Sequence, residues 1–201
     1  MKLFVSSTSP YARIARIALA EKGVGGVDIK SVDPWSDPAD LLAANPAGRI
    51  PALVLNDGRV LTESMLIVYW AEQLSASPSL LGQDATGVLS LTGTGMGVIE
   101  AAAATIIGRR GMGPDFDKTP VAAKRRRTLQ SGFAKLEAEL TEPLTLTANG
   151  APTLAGIVAV VALDYFHLRF AGQPLPPIPK IEALHKKLDA RPAFASSRPH
   201  A

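Results

Sequence analysis

The sequence predicts an α/β domain followed by an all-helical domain. Strand and helix patterns alternate over the first third of the chain in the order βαβ, α, ββ, α, and no convincing strand pattern occurs beyond residue 87. The chain has 201 residues, enough for two small domains. We place these domains at 1–77 and 85–201, with a linker near 80–87 that carries Gly, Asp and Thr after Pro78.

Composition excludes several classes of protein. The apolar share of 47% and the charged share of 19% are typical of a globular protein. The net charge of +3 is too small to indicate nucleic-acid binding by itself. The chain has no cysteine, which excludes disulfides, thiolate metal sites and a cysteine nucleophile. The sequence turns polar at Ser6, unlike a signal peptide, and its longest wholly apolar run, 157–163, is too short to span a membrane. We therefore expect a cytoplasmic protein.

The clearest element of the first half is a helix at 10–22. Ser9 can cap this helix, Pro10 suits its first turn, and Gly23 occupies the position where glycine commonly ends helices. The remaining elements are predicted from alternation, from prolines and from an Asp-Gly turn: strands at 3–6, 27–32, 52–55 and 59–61, a short helix from Ser36 or Asp37 that ends before Asn45-Pro46, and a helix at 63–75.

The second half reads as helices at 85–110, 118–140, 151–170 and 181–190. The third of these is apolar nearly all round, which predicts a helix buried in the middle of a bundle.

Three features of the second half resemble nucleotide, phosphate or metal sites, but their residues do not favour any of these sites. The glycines at 93–97 lack the spacing of a nucleotide loop; we interpret them as space for a second substrate beside an active site. The basic run at 124–127 is typical of a solvated helix face, with phosphate contact as the alternative. His167, His185 and His200 lack metal-ligand spacing, so no metal site is predicted.

Two segments carry a family resemblance. Residues 45–64 (NPAGRIPALVLNDGRVLTES) and 9–23 (SPYARIARIALAEKG) resemble cytosolic glutathione S-transferases of the bacterial type that use serine or threonine, not cysteine, in the active site. Weaker matches at 153–157, 163–169 and 190–194 follow in the family's order.

The resemblance implies a thioredoxin-like glutathione-binding domain and a helical substrate domain. Glutathione would be the co-substrate, and its thiolate would attack a hydrophobic electrophile in an apolar pocket formed by helices of both domains. The resemblance also implies a homodimer, with no nucleic-acid or membrane partner.

The resemblance assigns glutathione binding to Arg49, Ile50, Pro51, Glu63 and Ser64. In the family the Ile50-Pro51 bond is cis and the backbone of Ile50 pairs with the cysteinyl part of glutathione; the alternative is an ordinary trans proline. Glu63 and Ser64 open a helix whose amides suit the γ-glutamyl carboxylate, while Glu63 can accept from its ammonium group. The alternative is that Thr62 or Glu63 merely caps that helix. Arg49 suits the glycyl carboxylate, or is a simple surface arginine.

Ser9 is the candidate catalytic residue and Thr8 the second candidate. A free thiol has a pKa near 8.5, and a hydroxyl donor at a helix N-terminus would stabilise the thiolate by hydrogen bonding. The alternative is that Ser9 only caps the helix. The family members with cysteine here perform thiol exchange, which this chain cannot perform with its own residues.

One position departs from the family pattern. The family usually begins its buried helix with a hydroxyl residue and, three positions later, an aspartate, which together form a capping box. Here Thr153 is present but Gly156 replaces the aspartate, so we expect a weakened helix start.

Two further hypotheses remain open from the sequence. A noncatalytic member could serve as an interaction module, although such a scaffold has no need of Ile50-Pro51 or Glu63-Ser64. A carrier could bind glutathione or apolar ligands without turnover.

Overall fold

The computed structural model describes residues 1–74 and 78–200. The chain divides into two compact units, Met1–Leu80 with Arg191–Ala201, and Leu81–Ala190. The sequence-derived boundaries of 1–77 and 85–201 stay a prediction, and in the structure the residues from Arg191 onward group with the first unit. The predicted helix end at residue 75 and the boundary at residue 77 lie outside the described residues.

The first unit contains a four-stranded sheet with helices, in the predicted order. Its strands are β1 (Lys2–Val5), β2 (Asp28–Ser31), β3 (Ala52–Val54) and β4 (Val60–Thr62), and its first helices are α1 (Pro10–Glu21), α2 (Ala39–Ala44) and α3 (Ser64–Leu74). The strand order is β2-β1-β3-β4. β1 is parallel to β2 and antiparallel to β3, and β3 is antiparallel to β4. This arrangement confirms the thioredoxin-like expectation.

β1 lies between β2 and β3 in the interior of the sheet, and its apolar residues are buried on both faces. Leu3 and Val5 pack on one face with residues of α1 and α3, including Leu19. Phe4 points to the other face, where it packs with Leu41 of α2 and with Ala52. Successive side chains of a strand point to opposite faces, so the apolar residues of β1 pack against helices on both faces of the sheet.

A buried ion pair ties the C-terminal end of α1 to α3. The Lys22 side chain is 0% exposed, and its Nζ lies 3.1 Å from a carboxylate oxygen of Glu72. Lys22 also donates to the Pro78 carbonyl, while Glu72 accepts from the Ser79 hydroxyl and the Leu80 amide. These bonds supply the hydrogen-bond partners that a buried pair needs, and they hold the chain after α3.

The second unit is built of helices, as predicted. They are α4 (Ala85–Met112), α5 (Pro120–Glu139), α6 (Glu142–Thr145), α7 (Leu154–Arg169) and α8 (Pro179–Asp189), and the short α9 (Pro192–Ala195) follows in the first unit. Every residue of α7 from Leu154 to Leu163 is buried, which confirms the predicted central helix.

The sequence did not predict α6, α9 or the short 3₁₀ turns at Pro34–Ser36 and Gly113–Lys118. These are one- or two-turn elements that begin at or beside a proline. Their lengths are too short to produce a helical period in the sequence.

The glycine-rich segment at 93–97 lies inside α4, which excludes a nucleotide loop there. The stretch Ala85–Lys118 is long and apolar enough to cross a membrane by length and composition alone, but half of its most apolar window is buried in the protein. α4 packs against α5 and α7, as expected of a core helix. A β-carbon on Gly95 would lie 2.6 Å from Val158 Cγ1, so glycine permits the close approach of α4 and α7.

Gly156 has a packing role that the sequence did not reveal. A β-carbon at this position would lie 2.3 Å from the backbone oxygen of Thr145, so α7 approaches the end of α6 too closely for a side chain. The Thr153 hydroxyl still caps α7, accepting from the Gly156 amide at 3.2 Å. The Thr153 amide, which an acidic partner would accept from in a capping box, donates instead to the Thr145 oxygen at 3.0 Å. The expected weak helix start is therefore wrong: the missing half of the box is replaced by backbone.

Restoring the family's residue at this position should harm the protein. We expect Gly156→Asp and Gly156→Ala to lower the free energy of unfolding by about 1–3 kcal/mol, because the added carbon overlaps backbone that cannot rotate away. Urea denaturation followed by circular dichroism measures this. Gly93→Ala is the matched control, because nothing lies within 4 Å of its added carbon, and it should stabilise by about 1 kcal/mol. A stabilising Gly156→Asp would contradict the backbone explanation.

Candidate functional site

The sheet topology brings the site residues predicted from the sequence to the same end of the strands. β1 and β3 run antiparallel with Phe4 opposite Ala52, so the residues that follow β1 lie beside those that precede β3. Ala52 also lies opposite Thr62, the last residue of β4. The segments 6–9, 49–51 and 63–64 therefore start from the same end of the sheet.

The loop before β3 is organised by Asn45, a residue for which no role was predicted from the sequence. Its side-chain amide donates to the Arg49 carbonyl at 2.7 Å, and its side-chain oxygen accepts from the Ala47 amide at 3.2 Å. The Gly48 amide donates to the Asn45 carbonyl. An Asn side chain that copies a backbone turn in this way is signalled by the sequence Asn-Pro-Ala-Gly.

The Ile50-Pro51 peptide bond is cis, as the resemblance implied. The Ile50 side chain packs against the apolar clusters on both faces of the sheet. Within the described part of the chain, neither the amide nor the carbonyl of Ile50 makes a hydrogen bond. This backbone can therefore pair with an extended ligand.

The start of α3 shows an unusual backbone at Glu63. Glu63 has a φ of 65°, in the left-handed region that residues with a side chain seldom adopt. Its carbonyl accepts from the amides of Leu66 and Ile67, each at 3.1 Å, and so begins the helix. Such a conformation costs about 1–3 kcal/mol and is found preferentially at functional sites.

Ser64, the first residue of α3, is 4% exposed, and among residues 1–74 and 78–200 its hydroxyl has no hydrogen-bond partner. The amides of Ser64 and Met65 likewise make no hydrogen bond within those residues. Among the hydrogen bonds of the described residues, none joins the side chain of Thr62 or Glu63 to these amides. The capping alternative is therefore not what the structure shows.

The other helices of eleven residues or more differ from α3 in this respect. Each has a side-chain oxygen accepting from an amide of its first turn: Ser9 on α1, Asp84 on α4, Thr119 on α5, Thr153 on α7 and Glu137 on α8. In the part of the chain that the structure describes, α3 alone among these helices leaves the positive end of its dipole without such an acceptor.

Arg49 and Glu63 form an ion pair with each other, which sequence reasoning did not predict. Their side chains are 69% and 55% exposed. An ion pair this exposed contributes only about 0–1 kcal/mol, so either partner can be shared with a charged ligand at little cost.

Ser9 caps α1, because its hydroxyl oxygen accepts from the Ala12 amide at 3.2 Å. Pro10 occupies the first turn, as predicted. The amide of Ser9 donates to the Ser6 carbonyl, which closes the turn between β1 and α1. Thr8 lies in that turn, and its hydroxyl makes no hydrogen bond within the described residues.

The sequence is similar to a protein family and to several curated proteins. The family model described as "Glutathione S-transferase, N-terminal domain" matches residues 8–74. A probable glutathione transferase of Aplysia californica is 33% identical over 39% of this chain and 83% of its own length. A maleylacetoacetate isomerase of Pseudomonas aeruginosa is 29% identical over 99% of this chain and 96% of its own. Three other curated relatives are matched over only about two fifths of their own length.

The fold is also found in solved structures. A glutathione S-transferase of Methylobacterium radiotolerans, in complex with glutathione sulfonate, superimposes with a TM-score of 0.87 at 29% identity. The match covers 100% of this chain and 95% of that one.

Proposed function

Because the chain belongs to the glutathione S-transferase family, we propose that it binds glutathione and conjugates the glutathione thiolate to a hydrophobic electrophile in the cytoplasm. The observation that carries this proposal is the open start of α3, where the hydroxyl of Ser64, a residue only 4% exposed, and two backbone amides have no partner within the described chain.

The γ-glutamyl end of glutathione fits this group of donors. Its carboxylate would accept from the Ser64 hydroxyl and from the amides of Ser64 and Met65, at the positive end of the helix dipole. Its ammonium group would approach the Glu63 carboxylate. The cysteinyl backbone would pair with the unbonded amide and carbonyl of Ile50, and Arg49 would approach the glycyl carboxylate.

Ser9 would then stabilise the thiolate. A serine hydroxyl has one hydrogen to donate and two lone pairs. The bond from the Ala12 amide uses one lone pair and fixes the oxygen, while the hydrogen stays available to the sulfur. Each unit by which the thiol pKa falls corresponds to about 1.4 kcal/mol in favour of the thiolate. Thr8 is the second candidate, since its hydroxyl is also unengaged.

A glutathione-dependent isomerase is the second candidate function, favoured by the match to the Pseudomonas isomerase over nearly the whole chain. The first step would be the same. The thiolate adds to an activated double bond, and after rotation the new carbon–sulfur bond breaks and releases glutathione. Free glutathione falls with turnover in conjugation and stays constant in isomerisation, so thiol titration during the reaction separates the two functions.

Ser64→Ala tests the binding site. We expect this variant to raise the glutathione Kd by about tenfold or more, because a hydrogen bond to a charged carboxylate is lost. Isothermal titration calorimetry measures the change, and Ser31→Ala, an exposed serine on β2, is the matched control that should leave Kd unchanged. No saturable binding of millimolar glutathione to the wild-type protein would rule out the proposed function and favour an interaction module.

Ser9→Gly separates catalysis from capping. Glycine substitutes for serine at an N-cap at a cost of only a few tenths of a kcal/mol, so the helix should persist. Loss of the donor should raise the pKa of the bound thiol by about one unit or more. Ultraviolet absorbance of the bound thiolate across pH measures this, and Thr8→Val is the parallel variant. If Ser9→Gly leaves the thiol pKa and kcat unchanged while Thr8→Val changes both, Thr8 is the donor. If the wild-type thiol pKa equals that of free glutathione, the chain is a carrier.

We further propose that α3 provides a surface for a homodimer. Leu66 and Tyr69, three positions apart on one side of this helix, are 58% and 65% exposed, and Leu74 is exposed as well. An apolar face of this kind on a helix otherwise packed on the sheet is typical of an interface.

Tyr69→Glu tests the dimer. We expect the wild-type protein to sediment as a dimer and this variant as a monomer, because a charge would be buried without a partner. Met112→Glu, at an apolar residue that is 56% exposed at the end of α4, is the control and should stay dimeric. A wild-type monomer would refute the proposal.

A further inference from the structure

A cavity lies in the first unit, at the opposite end of α1 from Ser9. It has a volume of about 240 Å³ and opens between the second half of α1, the β1–β2 side of the sheet and the C-terminal segment. Its apolar wall is formed by Leu3, Leu19, Val24, Val27 and Ile29. α1 rises about 1.5 Å per residue, so Arg16 in this wall lies about 10 Å along the helix from Ser9.

Arg16 is the cationic residue of this cavity. It is partly buried, and its guanidinium donates to the backbone oxygen of Ser196 at 2.9 Å. That is one of the five hydrogens a guanidinium can donate. Among residues 1–74 and 78–200, no carboxylate lies within ion-pair distance of Arg16. The cavity therefore holds a cation whose donors are largely unused.

The charge of Arg16 is also unfavourable in its surroundings. Burial, and secondly the positive charge of Arg13 one turn earlier, lower the pKa of Arg16 from its usual value. An anion in the cavity would compensate for both effects, since it would replace lost hydration and offset the second positive charge.

We propose that this cavity binds a small organic monocarboxylate. The Arg16 guanidinium holds the carboxylate in a bidentate pair, and the apolar wall holds an aromatic or short aliphatic tail. Guanidinium and carboxylate match in geometry, so the pair favours a planar acid over a round anion such as chloride. This site is separate from the glutathione site and does not depend on the proposed function.

The volume limits the size of the ligand. Benzene fills a buried cavity of about 150 Å³. The remaining space accepts a carboxymethyl group, with the carboxylate at the rim beside Arg16. Phenylacetate matches this description, and phenylacetamide has nearly the same shape without the charge.

Titration of the full-length protein with both compounds tests the proposal. We expect saturable binding of phenylacetate with a Kd of about 1 mM, in the range for a ligand of this size. Phenylacetamide should bind at least about tenfold more weakly, because the charged pair is lost. Equal affinity for the two compounds would refute the role of Arg16.

Two variants locate the site. Arg16→Gln keeps a donor for the Ser196 oxygen but removes the charge, and it should weaken phenylacetate binding by about tenfold or more. Ala20→Phe places a ring from an exposed position of α1 into the cavity and should abolish binding. Ala138→Phe, the same change at an exposed position of α5, should leave binding unchanged.

Either of two results would overturn the proposal. Wild-type protein that shows no saturation at concentrations far above about 1 mM has no such site. Binding that survives both Arg16→Gln and Ala20→Phe occurs elsewhere in the molecule. If one variant fails to fold, as circular dichroism would show, the other variant and the acid–amide comparison on wild-type protein still decide the question.

Discussion

The burial of β1 is the constraint on which the site depends. Leu3, Phe4 and Val5 are three consecutive buried apolar residues, and helices cover the sheet on both sides of them. A shift of one residue along this strand would exchange its two faces and place each side chain in the wrong core. The register with β3 is therefore strongly specified, and so is the juxtaposition of the turn after β1 with the Ile50-Pro51 segment.

The start of α3 has two features that cost free energy of folding. Glu63 adopts a left-handed backbone, and the first amides of the helix have no acceptor within the described residues. Each of these features costs free energy that a capping residue in ordinary geometry would recover, about 1 kcal/mol for the cap alone. The protein uses such caps on its other long helices, including Thr119 on α5 and Thr153 on α7. An anionic ligand at α3 gives these costs a physical reason, since it would supply the missing acceptor.

The sequence predicted the fold and the start of α1 correctly, but it did not predict how the candidate site residues interact with one another. Ser9 and Pro10 gave the start of α1 because an N-cap and a first-turn proline act locally. The pairing of Arg49 with Glu63 joins residues fourteen positions apart through the geometry of a hairpin, and no local rule describes it. Gly156 was misread for the same reason. Its effect is set by the Thr145 oxygen, which is distant in sequence and adjacent only after α6 and α7 pack. Asn45 could have been recognised, because its turn is local.

Capping has different consequences at the two helix starts of the candidate site, α3 and α1. At α3 a cap and a ligand carboxylate would accept from the same amides, so one excludes the other, and the absence of a side-chain cap among residues 1–74 and 78–200 favours the ligand. At α1 the Ser9 oxygen accepts from Ala12 through a lone pair, and donation to a thiolate uses the hydroxyl hydrogen. Capping and the proposed catalytic role are therefore compatible at Ser9, since the cap would hold the oxygen at the positive end of the helix, where a thiolate is also favoured.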